Sequence, residues 1–331
     1  MVTKIGIVGF GWVARDYMLP AIDAHPHAIL KAVVSIREED FRGLPQEVGR
    51  CYSVAEMLAD YELDAVYVAS PNHLHREHTV RCLEAGLDVL CEKPLARSFS
   101  EAEAMVATAR RYGKRLITAY DQRHHPAHEL MRQWIAGGRL GIVTQARIDY
   151  ACWVPSGWSA DNWRVDPERA GGGAIIDLAP HGLDLLETLT AQTVTDLHCL
   201  DQRAAHDYPV DDGGVLSARL SAGTLATLTV GYNRPEMLPR RRLEVTGTRG
   251  MLLAENTMGQ VAGGRLRFYD ATDGSVQEVK FDSATGPFHG LLNHFVTTLR
   301  EDRTELRDAA NDLRLVKLLE SATQQNTHPW L

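Results

Sequence analysis

Three short stretches of this chain carry residue types that can move protons. The first is Val89-Leu90-Cys91-Glu92-Lys93-Pro94. An apolar run of this length, after Gly86-Leu87-Asp88, reads as a central buried strand of a parallel sheet. Pro94 lacks a backbone N–H and stops it. Ligands of open parallel sheets bind at the carboxyl ends of strands, so Glu92 and Lys93 would face one. A lysine there can hydrogen-bond a substrate hydroxyl and take or give its proton. The second stretch runs from Gly171-Gly172-Gly173 to His181. Asp177 and His181 are four apart, on one face of the helix that the glycines introduce. Histidine exchanges protons near neutral pH, and a carboxylate beside it can orient it or hold a hydroxyl. The third is Ser70-Pro71-Asn72-His73-Leu74-His75, again at a strand end, where Asn72 and His75 could meet cofactor or substrate. Plainer readings stand beside these: a solvated Glu-Lys pair, and a capped helix start with a satisfied histidine. His73, His75 and His78 have no Cys or carboxylate at ligand spacing, so no metal is expected.

The elements that would position these residues begin with a strand, Lys4 to Val8, running directly into Gly9-Phe10-Gly11-Trp12-Val13-Ala14 and a helical pattern to about Ala24. This is G-x-G-x-x-A in the strand-turn-helix setting of a dinucleotide site. Gly9 permits the tight turn, Gly11 lets the backbone approach a pyrophosphate, and Ala14 allows close helix packing. A second strand, Leu30 to Ser35, ends in Ser35-Ile36-Arg37 rather than in the acidic residue that usually holds a ribose 2′-hydroxyl. Ser35 can donate to a 2′-phosphate and Arg37 can pair with it. NADP(H) is therefore preferred, with NAD(H) possible because Glu38, Glu39 and Asp40 follow. A helix over Ser53 to Tyr61, a buried strand over Asp64 to Ala69, and a helix to Ala85 carrying His78 come next. A helix capped by Ser100 with Glu103 ends at Gly113, and a strand spans Arg115 to Ala119. Such alternation argues a doubly wound parallel sheet.

Beyond Tyr120 the pattern changes. Pro126 opens a helix that closes at Gly137-Gly138. Strands are expected over Ile142 to Ala151, Val194 to Gln202, Gly214 to Leu220, Thr224 to Tyr232, Arg242 to Thr246, Gly264 to Tyr269 and Val276 to Phe281. Turns at Ala222-Gly223 and Gly247 to Gly250 join some of them. Many strands alternate apolar and polar residues, which suggests a mainly antiparallel sheet with one open face. A second subunit is the usual cover, so a homodimer or homotetramer is expected. Helices near Gly290 to Leu299 and Leu306 to Thr323 complete an α/β protein of two domains, residues 1–120 and 121–331.

Composition narrows the class. The 331 residues are 44% apolar and 24% charged, with net charge −8. That is ordinary for a globular protein and disfavours nucleic acid and anionic membrane as partners. The five cysteines form no CxxC pair, which suits reduced thiols in the cytoplasm. No signal peptide or bilayer-spanning run is read.

Together these motifs resemble the Gfo/Idh/MocA family, the glucose–fructose oxidoreductase and inositol dehydrogenase relatives. The resemblance spans nearly the whole chain. It rests on Gly9 to Ala14, Ser70 to His75, Glu92-Lys93-Pro94, Arg123-His124-His125-Pro126, Trp163-Arg164, the 171–173 glycines, and Asp177 through His181. It implies a Rossmann domain, a second α/β domain with a large open sheet, and hydride transfer between a nicotinamide cofactor and a carbinol of a sugar, cyclitol or related polyol. Under it Lys93 polarises the reacting oxygen, His181 exchanges the proton, and Asp177 tunes the pair and binds a neighbouring hydroxyl. Arg123 joins the substrate site. Gly9 to Val13, Ser35, Arg37, Ser70, Asn72, His75, Glu92, Lys93, Trp163 and Arg164 line the cofactor. Ser35-Ile36-Arg37 resembles the NADP-using members, whereas Asp121-Gln122 stands where relatives often have uncharged residues. Asp121, Asp161 and Asp177 suit neutral polyols or an amino sugar. Two rivals remain: a non-catalytic dinucleotide sensor, and a sugar–sugar oxidoreductase with tightly bound cofactor.

Overall fold

The computed structural model describes residues 2–154, 162–301 and 309–325. The chain divides into two compact units, Met1–Ala119 with Phe288–Arg314, and Tyr120–Pro287 with Leu315–Leu331. The expected division at 120/121 therefore needs a correction. The segment 288–314 returns to the first unit, because its apolar face has a core to fill there. Phe288, Leu291, Leu292, Phe295 and Val296 are all buried in one cluster with Ile5, Phe10, Met18 and Leu90.

In the first unit six strands, β1 (Thr3–Val8), β2 (Ala28–Val34), β3 (Gly49–Cys51), β4 (Ala65–Val68), β5 (Asp88–Cys91) and β6 (Leu116–Thr118), form a wholly parallel sheet of order β3-β2-β1-β4-β5-β6. Strands β1, β4 and β5 are buried almost end to end, as strands covered on both faces must be. Helices α1 (Leu19–Ala24), α2 (Val54–Asp60), α3 (Asn72–Glu84) and α4 (Phe99–Tyr112) fall between them. The cap of α4 differs from expectation. Ser98, not Ser100, is the N-cap and accepts from the Glu101 backbone N–H, and Gly113 closes the helix in left-handed conformation.

The order reverses at β1 and β4. Such a switch point opens a crevice at the carboxyl edge of a parallel sheet. The ladders bring that edge into line: Gly9 N donates to Val34 O, Ala69 N to Val8 O, and Glu92 N to Val68 O.

In the second unit α5 (Pro126–Ala136) precedes the long strand β7 (Val143–Ala151), a short α6 (Pro167–Ala170) and the 17-residue α7 (Ala174–Thr190). Seven strands follow: β8 (Val194–Gln202), β9 (Gly213–Leu220), β10 (Leu225–Gly231), β11 (Arg241–Gly247), β12 (Gly250–Glu255), β13 (Arg265–Asp270) and β14 (Val276–Glu278). The eight-stranded sheet has order β14-β13-β12-β11-β7-β10-β9-β8. Every pairing is antiparallel except β7 with β10. Strand β12 was not expected, and the last strand is shorter than the Val276 to Phe281 predicted. Helix α7 lies close on the sheet because Gly182 has no side chain, and a Cβ there would stand 2.6 Å from Leu228 Cδ2. The sheet's other face is exposed at alternate positions of β9 and β10, including Val215 and Leu225. Helices α8 (Pro287–Glu301) and α9 (Ala309–Gln324) end the described chain, so residues 306–308 of the expected last helix lie outside it.

Candidate active site

At the carboxyl edge of the first sheet, Gly9 takes φ 89°, a region that favours glycine. A Cβ on it would stand 2.5 Å from Ser70 N, so the two turns touch only because Gly9 is bare. Gly11 is the opposite case: a Cβ there would meet nothing within 4 Å. That open space, followed by a helical turn whose Arg15 N donates to Gly11 O, fits a pyrophosphate approaching backbone N–H groups. Phe10 is buried beneath the loop, Trp12 is exposed at its surface and Val13 is half-buried.

At the end of β2, Ser35 is buried and its hydroxyl donates to Asp40 Oδ2 at 2.5 Å. The expectation that it donates to a 2′-phosphate is corrected here, because its one O–H is committed to a buried carboxylate. Arg37 grips the same carboxylate, Nε to Oδ2 at 3.1 Å and Nη2 to Oδ1 at 2.7 Å. Its side chain is 57% exposed, and Nη1 takes no part in that grip.

The Ser70 turn shows a second correction. His75 is 1% exposed, with Nδ1 2.9 Å from Pro94 O and Nε2 2.8 Å from Ser70 O. A backbone carbonyl faces each ring nitrogen, and the one N–H of the neutral ring donates to one of them, so the ring packs between the β4 turn and the β5 turn instead of facing a cofactor. Burial lowers its pKa to about 4. Ser70 Oγ lies 3.0 Å from His78 Nδ1, and Asn72 is buried at the start of α3. Glu92 accepts from Tyr67 Oη and from the Lys93 backbone N–H. Lys93 therefore stands at the carboxyl edge, joined by a cis peptide to Pro94.

The second unit holds the other group. The parallel pairing sets Val230 beside Tyr150 and Gly231 beside Ala151. Tyr150 and Tyr232 thus lie near the same end of that pair, on the side covered by α7. Tyr232 Oη donates to Asp177 Oδ2 at 2.8 Å, and the Tyr150 ring meets His181 edge-on, centroids 5.6 Å apart. Burial drives both phenols above their ordinary pKa, so both remain protonated donors. The carboxylate beside His181 Nδ1 is that of Asp121, at 3.2 Å, with both side chains 2% exposed. Neither ring nitrogen of His181 has a hydrogen-bond partner among the described residues. The Asp121–His181 pair was not foreseen; the unusual acid before Arg123 was the only hint.

Arg123 also departs from expectation. Its guanidinium is held bidentate by the fully buried Asp184, which fixes the 121–125 turn to α7 and removes that face from a substrate. Trp163 and Arg164 lie in a short 3₁₀ turn, the guanidinium 4.4 Å from the Trp163 ring centre. The start of α7 is held by Asp211, whose carboxylate accepts from Gly173 N and Ile175 N, both at 2.8 Å. Burial raises its pKa to about 6. Asp161 lies outside the described residues. No group able to hold a metal occurs among the described residues, and no described helix is long and apolar enough to cross a membrane.

Comparison with known proteins converges on the same two-part chain. Residues 3–120 match the family model of an oxidoreductase family with an NAD-binding Rossmann fold, and residues 128–253 match the GFO/IDH/MocA C-terminal domain. A 1,5-anhydro-D-fructose reductase of Ensifer adhaerens is 30% identical over 294 residues, 87% of each chain. A D-xylose 1-dehydrogenase (NADP(+)) of Haloferax volcanii is 28% identical over 331 residues, covering 96% of this chain and 95% of its own. In fold, the aldose-aldose oxidoreductase of Caulobacter crescentus superposes with a TM-score of 0.87 over the whole of both chains at 22% identity. With a nucleotide loop in the first unit and an Asp-His pair in the second, the chain belongs to the Gfo/Idh/MocA family of NAD(P)-dependent oxidoreductases.

Proposed function

We propose that this enzyme transfers a hydride between NADP(H), in preference to NAD(H), and a carbinol or ketone of a neutral sugar, cyclitol or related polyol. The bound nicotinamide supplies or accepts the hydride. A hydride carries no proton, so the oxygen needs its own proton path. Lys93 holds and polarises that oxygen, and His181 takes or returns its proton. Asp177, carrying the Tyr232 hydroxyl, holds a neighbouring substrate hydroxyl. Gly9 to Val13 cradle the pyrophosphate, with Ser70, Asn72 and Glu92 along the same edge, and Trp163 and Arg164 help fix the cofactor. The observation that carries this reading is His181, a buried imidazole beside a carboxylate with neither nitrogen hydrogen-bonded among the described residues.

The cofactor preference rests on Arg37. Pinned by Asp40 and still largely exposed, it offers Nη1 to a 2′-phosphate without having to be ordered first. Asp40 is satisfied by Ser35 and Arg37 together, so it competes less for a ribose diol. The exposed face of the second sheet supports a homodimer or a pair of dimers. Five free cysteines, with Cys51, Cys82, Cys91 and Cys199 buried, support a cytoplasmic setting.

A panel of neutral sugars, cyclitols and phosphorylated sugars, offered with NAD⁺ and NADP⁺ and followed by the absorbance of reduced cofactor, tests the proposal. Turnover of a neutral polyol, faster with NADP⁺, is expected. No turnover of any polyol in either direction, or use of phosphorylated sugars alone, would overturn it.

A further inference from the structure

We propose that Asp121 is a positioning residue for His181, holding the ring by Nδ1 so that Nε2 is the nitrogen that exchanges the substrate proton. The inference rests on the proton-transfer role proposed for His181 and adds the residue that selects which nitrogen performs it.

The carboxylate is itself held. Asp121 Oδ2 accepts from Gln122 Nε2 at 2.9 Å, and the same nitrogen donates to Gly259 O at 3.0 Å. Gly259 N in turn donates to Gln122 Oε1 at 3.1 Å. Gln122 is fully buried, so its amide hydrogens and oxygen are all placed by protein. Six residues on, His128 bridges Gln122 O and Thr257 Oγ1, each at 2.8 Å, and binds the turn a second time to the 257–259 segment. Arg123, locked to Asp184, binds it to α7, which carries His181. Asp121 Oδ1, by contrast, has no hydrogen-bond partner among the described residues and faces Nδ1 at 3.2 Å. The pair lies at ion-pair distance without hydrogen-bond alignment, a looseness common before the reacting complex forms.

A carboxylate can only accept, so it selects the tautomer with hydrogen on Nδ1 and leaves the Nε2 lone pair open. In oxidation the carbinol C–H bond breaks with its electron pair going to the nicotinamide. The O–H bond breaks with its proton going to Nε2, and the carbon–oxygen double bond forms. The imidazolium so produced is stabilised by the ionised Asp121. In reduction the same proton returns from Nε2 to the oxygen. The arrangement follows the logic by which a buried aspartate fixes a catalytic histidine in hydrolases, here without a nucleophile.

The test combines ring ¹⁵N NMR of histidine-labelled enzyme with rapid-mixing kinetics. In the wild type, His181 (assigned by comparison with His181→Ala) should show hydrogen on Nδ1 and a bare Nε2. Asp121→Asn should mix or reverse the tautomers and lower the hydride-transfer rate by about 10²–10⁴-fold, with cofactor affinity unchanged. Asp121→Glu should restore the tautomer and part of the rate. Hydrogen on Nε2 in the neutral wild-type ring would overturn the inference without any variant, as would a wild-type tautomer and rate in Asp121→Asn. Wild-type turnover in folded His181→Ala would instead overturn the role of His181 itself.

Discussion

Two buried histidines, His75 at the Ser70 turn of the first unit and His181 on α7 of the second, are each 1% exposed. Their rings are used in opposite ways. His75 has a backbone carbonyl at both nitrogens and ties two strand-end turns together. Among the described residues, His181 has neither nitrogen hydrogen-bonded, a carboxylate beside one and a tyrosine ring at its edge. Burial alone therefore does not separate a structural imidazole from a chemical one; the engagement of the two nitrogens does. His128, with Gln122 O and Thr257 Oγ1, belongs with His75.

The largest expected effect tests this contrast directly. His181→Ala and Lys93→Met should each lower kcat per folded molecule by about 10²–10⁴-fold while leaving cofactor affinity near wild type. If the two groups serve one proton path, the double variant should lose far less than the product of the single losses. Rapid-mixing hydride transfer on folded variants measures this. A comparable loss of turnover per folded molecule in His75→Ala would break the contrast. His75→Ala should instead destabilise the protein by about 2–4 kcal/mol, since it leaves two carbonyls and a cavity behind. A lowered urea midpoint with near-normal turnover of the folded fraction is the expected signature.

Arg37 sharpens the same rule at an exposed site, where a pinned cation keeps a free donor. Arg37→Ala should cost roughly 1.5–3 kcal/mol of NADP(H) affinity and little of NAD(H) affinity, as read by calorimetry. Equal losses for the two would sink the NADP(H) preference.

The smallest effect is on the pH dependence of stability. Burial lowers His75 and His125 to about 4 and His128 to about 3. A depressed histidine contributes stability above its unfolded value, near 6.5, and that contribution is lost as pH falls toward the folded value. Unfolding free energy should therefore fall as pH drops from about 6.5 toward 4, and His128→Gln should flatten the fall. Asp211 works the other way. Raised to about 6, it contributes most below its unfolded value and loses that contribution as pH rises through 6, so Asp211→Asn should steepen the acid loss. Urea titrations across that range measure both.

How much was legible in the sequence follows from how local each signal is. The Gly9 to Ala14 loop and the buried strands before Ser70 and Glu92 are written in consecutive residues. The cap of α4 was ambiguous because Ser98 with Glu101 and Ser100 with Glu103 both fit the same pattern. Strand β12 reads Gly-Met-Leu-Leu-Ala-Glu, good helix formers that become a strand only between β11 and β13. The Asp121–His181 pair joins residues sixty apart, and no periodicity links them. Ser35, His75 and Arg123 stand out in the sequence by type and place, but whether a polar side chain is already engaged depends on Asp40, Pro94 and Asp184, which only the fold brings near.

The return of residues 288–314 to the first unit bears on how the chain is made. Phe288 stacks on Tyr17, ring centres 5.5 Å apart, and its helix fills the face of the core that also holds Ile5, Phe10 and Met18. A chain leaving the ribosome has its six parallel strands long before it has that helix. The nucleotide unit must wait, with an apolar face uncovered, until the whole of the intervening sheet has been synthesised. The two units thus alternate along the chain, since 315–331 belongs to the second again, and the loop closed by the return of 288–314 is long, which slows assembly of the first core. Chains stopped short of residue 288 should carry a finished set of strands and an unfinished interior, the kind of surface that chaperones bind.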